Sequence, residues 1–271
     1  KLSFTHVALT VGLVLMATFV GTSFKQRFAE KEQKDEYHMV KEYLLNPNVL
    51  YGKNRPKIWI HSNYEVNARK WASFMSRNST DLNQPYLYLT VQSIIQHNSD
   101  DFHICLIDDE SFAKLIPTWT IDLSTVPEPM RSRYRENAML QLLYIYGGMI
   151  VPNSFLCLQS LHGLYLQGIA HKTPFMAERI ARIPNAPQSK PFLPDVYFMG
   201  ATKEDPMLEK LIGLYQSLEE KQHFQSETEF NYTVGQWCKD EVDAGTIQVV
   251  DGTLIGVKTS IGKPVLLEDL M

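Results

Sequence analysis

The chain has 271 residues, 44% hydrophobic and 21% charged, enough to bury a sizeable core; behind an N-terminal segment, one domain of roughly 200 residues is the economical expectation. A net charge of −4 and the lack of any Lys/Arg-rich block argue against nucleic acid as a partner, because phosphate binding needs clustered positive charge. Three cysteines, Cys105, Cys157 and Cys238, are odd in number and widely spaced among apolar neighbours, which argues against a disulfide framework or a metal knuckle and reads as buried thiols.

Residues 2–24 contain no Asp, Glu, Lys or Arg. Such a run, at 1.5 Å per residue, spans about 34 Å as a helix, enough for a bilayer core of about 30 Å. It exceeds the apolar stretch of a usual signal peptide, so residues 1–25 are expected to form an uncleaved, single-pass transmembrane anchor in the lipid bilayer. Gly12 and Gly21, with Thr5, Thr10, Thr18 and Thr22, give small faces suited to packing on the helices of other membrane-protein subunits. His6, near one end, reaches the interface or bonds a neighbouring helix. Lys25 and Arg27 on one flank against Lys1 on the other lean the globular part toward the cytosol or an equivalent compartment, without fixing the side. Two glycosylation sequons, at Asn78 and Asn231, are what chance supplies and do not set topology.

Residues 26–55 read as a charged helical stalk and linker, with Glu30–Lys34 and Lys31–Asp35 at i,i+4, broken by Asn46-Pro47, Gly52 and Pro56. Residues 56–271 form the globular domain. Residues 57–61 read as a buried strand, and 86–97 as a helix with Leu87, Leu89, Val91, Ile94 and Ile95 toward a sheet. A second strand, 102–107, runs into Asp108-Asp109-Glu110 and a short helix at 111–116. Pro127 and Pro129 precede a helix at 131–146, whose apolar stripe is Met139, Leu140, Leu142, Leu143 and Tyr146. Gly147-Gly148 permits a tight turn into a third strand at 149–151. Four prolines make 183–194 a loop; a strand follows at 196–199. Asp205-Pro206 supplies an N-cap and first-turn proline for a helix to about 220. A helix at 230–242 and strands at 246–250 and 254–257 complete the chain. Strands alternating with helices imply an α/β fold with a largely parallel sheet.

Together these segments resemble the capsular-polysaccharide-synthesis type of glycosyltransferase and its mannosyltransferase-like relatives, which also occur in large DNA viruses. The resemblance covers residues 56–161. Pro56-Lys57-Ile58-Trp59-Ile60-His61 is similar to the family's opening strand, Val91 to Asn98 to its next helix, and Phe102 to Asp108 to its second strand. Leu143-Tyr144-Ile145-Tyr146-Gly147-Gly148, similar to the family's Leu-Tyr-x-Tyr-Gly-Gly, is the most specific piece. The resemblance implies a GT-A, Rossmann-like fold and a nucleotide-sugar donor. It departs from the family at the metal clamp. The third strand there ends in Asp-x-Asp, whereas Pro152, Asn153 and Ser154 occupy that position here and bring no negative charge to a hard cation. The family's Asp ahead of the glycine pair and the Arg three residues later correspond to Glu136 and Met139.

If the site is active, Asp108, Glu136 and Asp195 are the catalytic candidates, and Asp108, Glu136, Gly147 and Gly148 the nucleotide-binding ones. Asp108 and Asp109, at a strand end, contact a ribose or base, or simply form a turn that caps the next helix. Glu136 holds a nucleotide or acts as a base, or is a plain helix-start carboxylate. Asp195 and Glu178 flank the proline-rich loop and stand as general-base candidates. Arg131, Arg133, Arg135, Arg179, Arg182 and Lys258 are the cations available to replace a metal at a diphosphate, or are solvated surface charges. Trp59, His61 and Trp119 read as core or rim. The leading expectation is a membrane-anchored, catalytically degenerate glycosyltransferase-like protein. It would serve as an accessory subunit of a larger membrane assembly, in an organellar inner membrane or a virion-associated membrane. No cofactor is then expected. The alternative is an active enzyme without the usual metal site, for which manganese or magnesium and a nucleotide sugar would be required.

Overall fold

The computed structural model describes residues 55–62, 85–179, 193–221 and 227–265. The expected anchor, stalk and most of the proline-rich loop lie outside the described residues. Among the described residues no helix is long and apolar enough to cross a membrane.

The runs KIWIH and HICLI form the parallel strands β1 (Lys57–His61) and β2 (His103–Ile107), in register from Lys57–His103 to His61–Ile107. Ile58, Trp59 and Ile60 are all fully buried, so both faces of β1 need cover, which is why helices flank it. Helix α1 (Pro85–Asn98) lies between them in sequence, and α2 (Ser111–Leu115) follows β2. Helix α3 (Met130–Tyr146) leads into β3 (Gly148–Ile150), which pairs in parallel with β1. Next come α4 (His162–Gly168), β4 (Phe175–Arg179), β5 (Leu193–Ala201), α5 (Pro206–Lys221), α6 (Glu227–Asp243) and β6 (Gln248–Val250). The sheet order is β2-β1-β3-β5-β4-β6, a mixed six-stranded sheet.

The α/β layering is as expected, but the sheet is less parallel than the alternation implied. β5 runs antiparallel to both β3 and β4, while β6 is parallel to β4. Besides a single 3-10 turn at Leu123–Thr125, two elements were not anticipated. Helix α4 is only seven residues long, and β4 reads Phe-Met-Ala-Glu-Arg, with none of the β-branched residues that mark a strand. Leu193 and Pro194, assigned to a loop, belong to β5. The strand expected at 254–257 is instead a turn. Val257 and Lys258 both donate backbone N–H to the Gly252 carbonyl, and Gly256 takes φ 78°.

The core gathers Trp59, Phe112, Leu140, Leu143, Tyr215 and Phe230, with α3 packed against β3, β5 and α5, and α6 against β5. Truncating one fully buried leucine such as Leu140 to alanine costs about 2–5 kcal/mol at such a site. All three cysteines are buried free thiols, and burial pushes Cys105 and Cys238 up to about 12.

The turn joining α3 to β3 is fixed by shape. Gly147 and Gly148 have φ of 70° and 103°, and a Cβ on Gly148 would lie 2.2 Å from the Lys57 carbonyl oxygen. Only glycine lets β3 approach β1 this closely. The Trp59 indole Nε1 donates to the Gly147 carbonyl at 3.0 Å and so anchors the same turn to β1.

Candidate functional site

Because β1, β2 and β3 run in parallel, their C-terminal ends share one edge of the sheet, where open α/β folds place ligands. His61 ends β1, Asp108 and Asp109 follow β2, and Val151 to Asn153 follow β3. Helix α3 crosses this edge. Just ahead of it, Glu128 Oε2 accepts from the Ser132 backbone N–H at 3.1 Å and the Ser132 hydroxyl at 2.7 Å. From there Ser132, Arg135, Glu136 and Met139, at helical spacing, turn one face into a cavity of about 250 Å3. Pro152, Asn153, Val196 and Tyr197 form the opposite wall.

Tyr197 reaches the cavity through a bulge. Met199 of β5 lies across from Met176 of β4, yet Asp195 lies across from Ala177, so three β5 residues have no partner on β4. The Asp195 carboxylate supports the bulge by accepting the Tyr197 backbone N–H at 2.9 Å. The Tyr197 phenol, thus redirected, donates to Oε1 of Glu136, and the phenol of Tyr215 on α5 donates to Oε2 at 2.7 Å. Burial, then the neighbouring Glu136 charge, pushes the Tyr215 hydroxyl well above its ordinary value. Glu136 is thus clasped by two neutral donors.

Asp109 is held by charge instead. Arg135 grips it bidentately, Nε to Oδ1 at 2.8 Å and Nη2 to Oδ2 at 2.5 Å, while His61 Nε2 lies 2.8 Å from Oδ1. The His61 ring stacks on Phe112 at 5.6 Å, and Arg135 Nη1 also reaches Glu128 at 3.5 Å. Burial pushes the Asp109 carboxyl up, but the hydrogen bonds and charges of His61 and Arg135 outweigh it and hold the group well below the usual carboxylate range. Behind this cluster a second cavity of about 420 Å3 is lined by Asp109, Trp119, Ile121, Asp122, Arg131 and Arg135. Arg135 is therefore a wall common to both cavities.

The other candidates are placed as follows. Asp108 caps α2, its Oδ1 accepting from the Ser111 N–H at 2.9 Å and the Ser111 hydroxyl at 2.6 Å, and it lines neither of these cavities. Gly147 and Gly148 serve the turn and line neither. Glu178 is buried against Lys258 Nζ at 2.6 Å and the Gly252 N–H at 2.7 Å, fastening the segment after β6 to β4. Arg133 is buried with its guanidinium 4.3 Å from the Phe230 ring centroid. The Arg179 side chain and Arg182 lie outside the described residues. Trp59 is core, Trp119 is rim and His61 sits at the cavity edge. Sequence reasoning missed Tyr197 and Tyr215, as well as the joining of His61, Asp109 and Arg135. No spacing signals them, since their partners lie between 26 and 79 residues away.

The residues at the strand end do not fit a divalent metal. The Pro152 carbonyl accepts from the Phe155 N–H at 3.0 Å and the Asn153 carbonyl from the Thr90 hydroxyl at 2.5 Å. Among the described residues no group of three His, Cys, Asp or Glu side chains is arranged to hold a metal ion. A hard cation needs several carboxylate oxygens, and the nearby acids Asp109 and Glu136 already accept strong donors.

No family model and no curated protein matches the chain. Among solved structures it is similar to one described as PaToxG Glycosyltransferase, at 9% identity and a TM-score of 0.40, over 80% of this chain and 83% of that one. A likeness of that degree leaves the assignment of activity to the chain's own residues.

Proposed function

We infer that this chain is a glycosyltransferase-like protein whose cleft is catalytically degenerate, and that it serves as a membrane-anchored accessory subunit of a larger membrane assembly. One observation carries the reading. At the strand end where a donor diphosphate would need a metal, the chain offers Pro152-Asn153-Ser154, and the acids nearest the cleft are engaged inside the protein. Neutralising a departing diphosphate contributes several kcal/mol at the transition state. Arg135 is the cation best placed to substitute, but it is committed to Asp109. The uncharged stretch at 2–24 supports the membrane anchor, and its small residues support packing on other membrane-protein subunits. An organellar inner membrane or a virion-associated membrane fits such an assembly.

The test is an assay of the purified protein for transfer and hydrolysis across the common sugar nucleotides, with manganese and without. The reading predicts rates no higher than background. Turnover abolished by Glu136→Gln would overturn it.

A second reading is favoured by the cavity itself. It remains open beside Glu136 and Asn153, as an active transferase without the usual metal site would require. That reading predicts turnover of a nucleotide sugar that depends on Arg135.

A further inference from the structure

A buried carboxyl lies just beyond the cleft, where α5 meets α3. Glu219 of α5 is 9% exposed, and the one side-chain hydrogen bond of its carboxyl among the described residues is a long one, accepted from Asn137 Nδ2 at 3.5 Å. Ionised carboxylates in such surroundings ordinarily take several short hydrogen bonds or a close cation. The charged and titratable groups acting on Glu219 are Arg133 and Tyr134 of α3. From α6 the apolar ring of Phe230 faces Arg133. The contact continues directly into the cleft. Tyr215, one turn before Glu219 on α5, donates to Glu136, the neighbour of Asn137 on α3.

We propose that Glu219 is a proton-operated latch on the α3–α5 contact. Uncharged, it lies against Asn137 and lets Tyr215 clasp Glu136. On releasing its proton to water, it tightens on Asn137 Nδ2, draws toward Arg133 and shifts Tyr215 relative to Glu136, altering the cavity wall. Burial pushes the Glu219 carboxyl from its ordinary value of 4.5 up to about 7, against the lowering effects of the Asn137 hydrogen bond and the Arg133 charge. The latch therefore operates close to neutral pH. It requires neither turnover nor a bound ligand, so its failure leaves the reading of the cleft untouched, and the reverse also holds.

The experiment is an NMR titration of the full chain, 13C-labelled at glutamate carboxyls and tyrosine rings, from about pH 5 to about pH 9. The carboxyl signal lost in Glu219→Gln should titrate with a midpoint of about 7, and the Tyr215 and Tyr197 ring signals should move with the same midpoint. Glu219→Gln keeps the shape of the uncharged acid, so both rings should stay still across that range. In Tyr215→Phe the Glu219 midpoint should persist while Tyr197 no longer follows it. A Glu219 midpoint near the ordinary glutamate value overturns the latch. So do tyrosine rings that ignore a titrating Glu219, or that still move in Glu219→Gln.

Discussion

The two ends of α3 are secured by different physics. At its C-terminal end Gly147, Gly148 and Trp59 fix the turn into β3 by shape and one indole hydrogen bond, with no charge involved. Toward its N-terminal end Arg135 and Glu136 engage Asp109, His61, Tyr197 and Tyr215 through charge and polar hydrogen bonds. The first end tolerates almost no change of residue but is indifferent to pH. The second depends on its charges and polar donors. The cleft lies on the second end, so its character is set by electrostatics rather than by packing.

The most severe way to break this contrast is Gly148→Ala. Its new methyl meets the Lys57 carbonyl at 2.2 Å, on a backbone with φ of 103°. The expected loss is about 3–5 kcal/mol in chemical denaturation, the same at every pH. Arg135→Met should cost less, about 2–3 kcal/mol. It strands Asp109, but both side chains are about a fifth to a quarter exposed and water recovers part of the loss. Tyr215→Phe removes one neutral donor from Glu136 and should cost about 1–2 kcal/mol by the same measurement.

The pH dependence separates two acids. Asp109 has a depressed value in the fold, so its contribution is present above the unfolded value near about 4 and is lost as pH falls below it. Asp109→Asn should flatten that acid limb. Glu219 has a raised value, so its contribution is full below 4.5 and is lost as pH rises to about 7, and Glu219→Gln should flatten that limb. Thermal melts across pH of the wild type and both variants check the opposite signs.

What could be read in advance follows the same division. β1, β2, α3, the glycine turn and the Asp205-capped helix rest on local patterns, and each is present; the Asp205 carboxylate accepts the Met207 N–H at 2.8 Å. The reversal of β5 depends on strand pairing across the sheet, which no local pattern encodes, and β4 has no β-branched residue to mark it. In the site, the Pro-Asn-Ser strand end and Glu136 were legible. The clasp was not, because Tyr197 and Tyr215 stand 61 and 79 residues from Glu136 and meet it only through a bulge and a helix packing. Asp108 and Asp109 are neighbours in sequence with one expectation between them. Folding separated their roles, one to a cap and the other to the Arg135–His61 cluster.

On the proposed reading, the strand end at Pro152 should hold no metal and therefore no donor diphosphate. Calorimetric titration of the full chain with the common nucleotide sugars, each with and without manganese, tests it most directly. The account predicts only heats of dilution under both conditions. Saturable binding of a donor that appears with manganese and vanishes on its removal would contradict it.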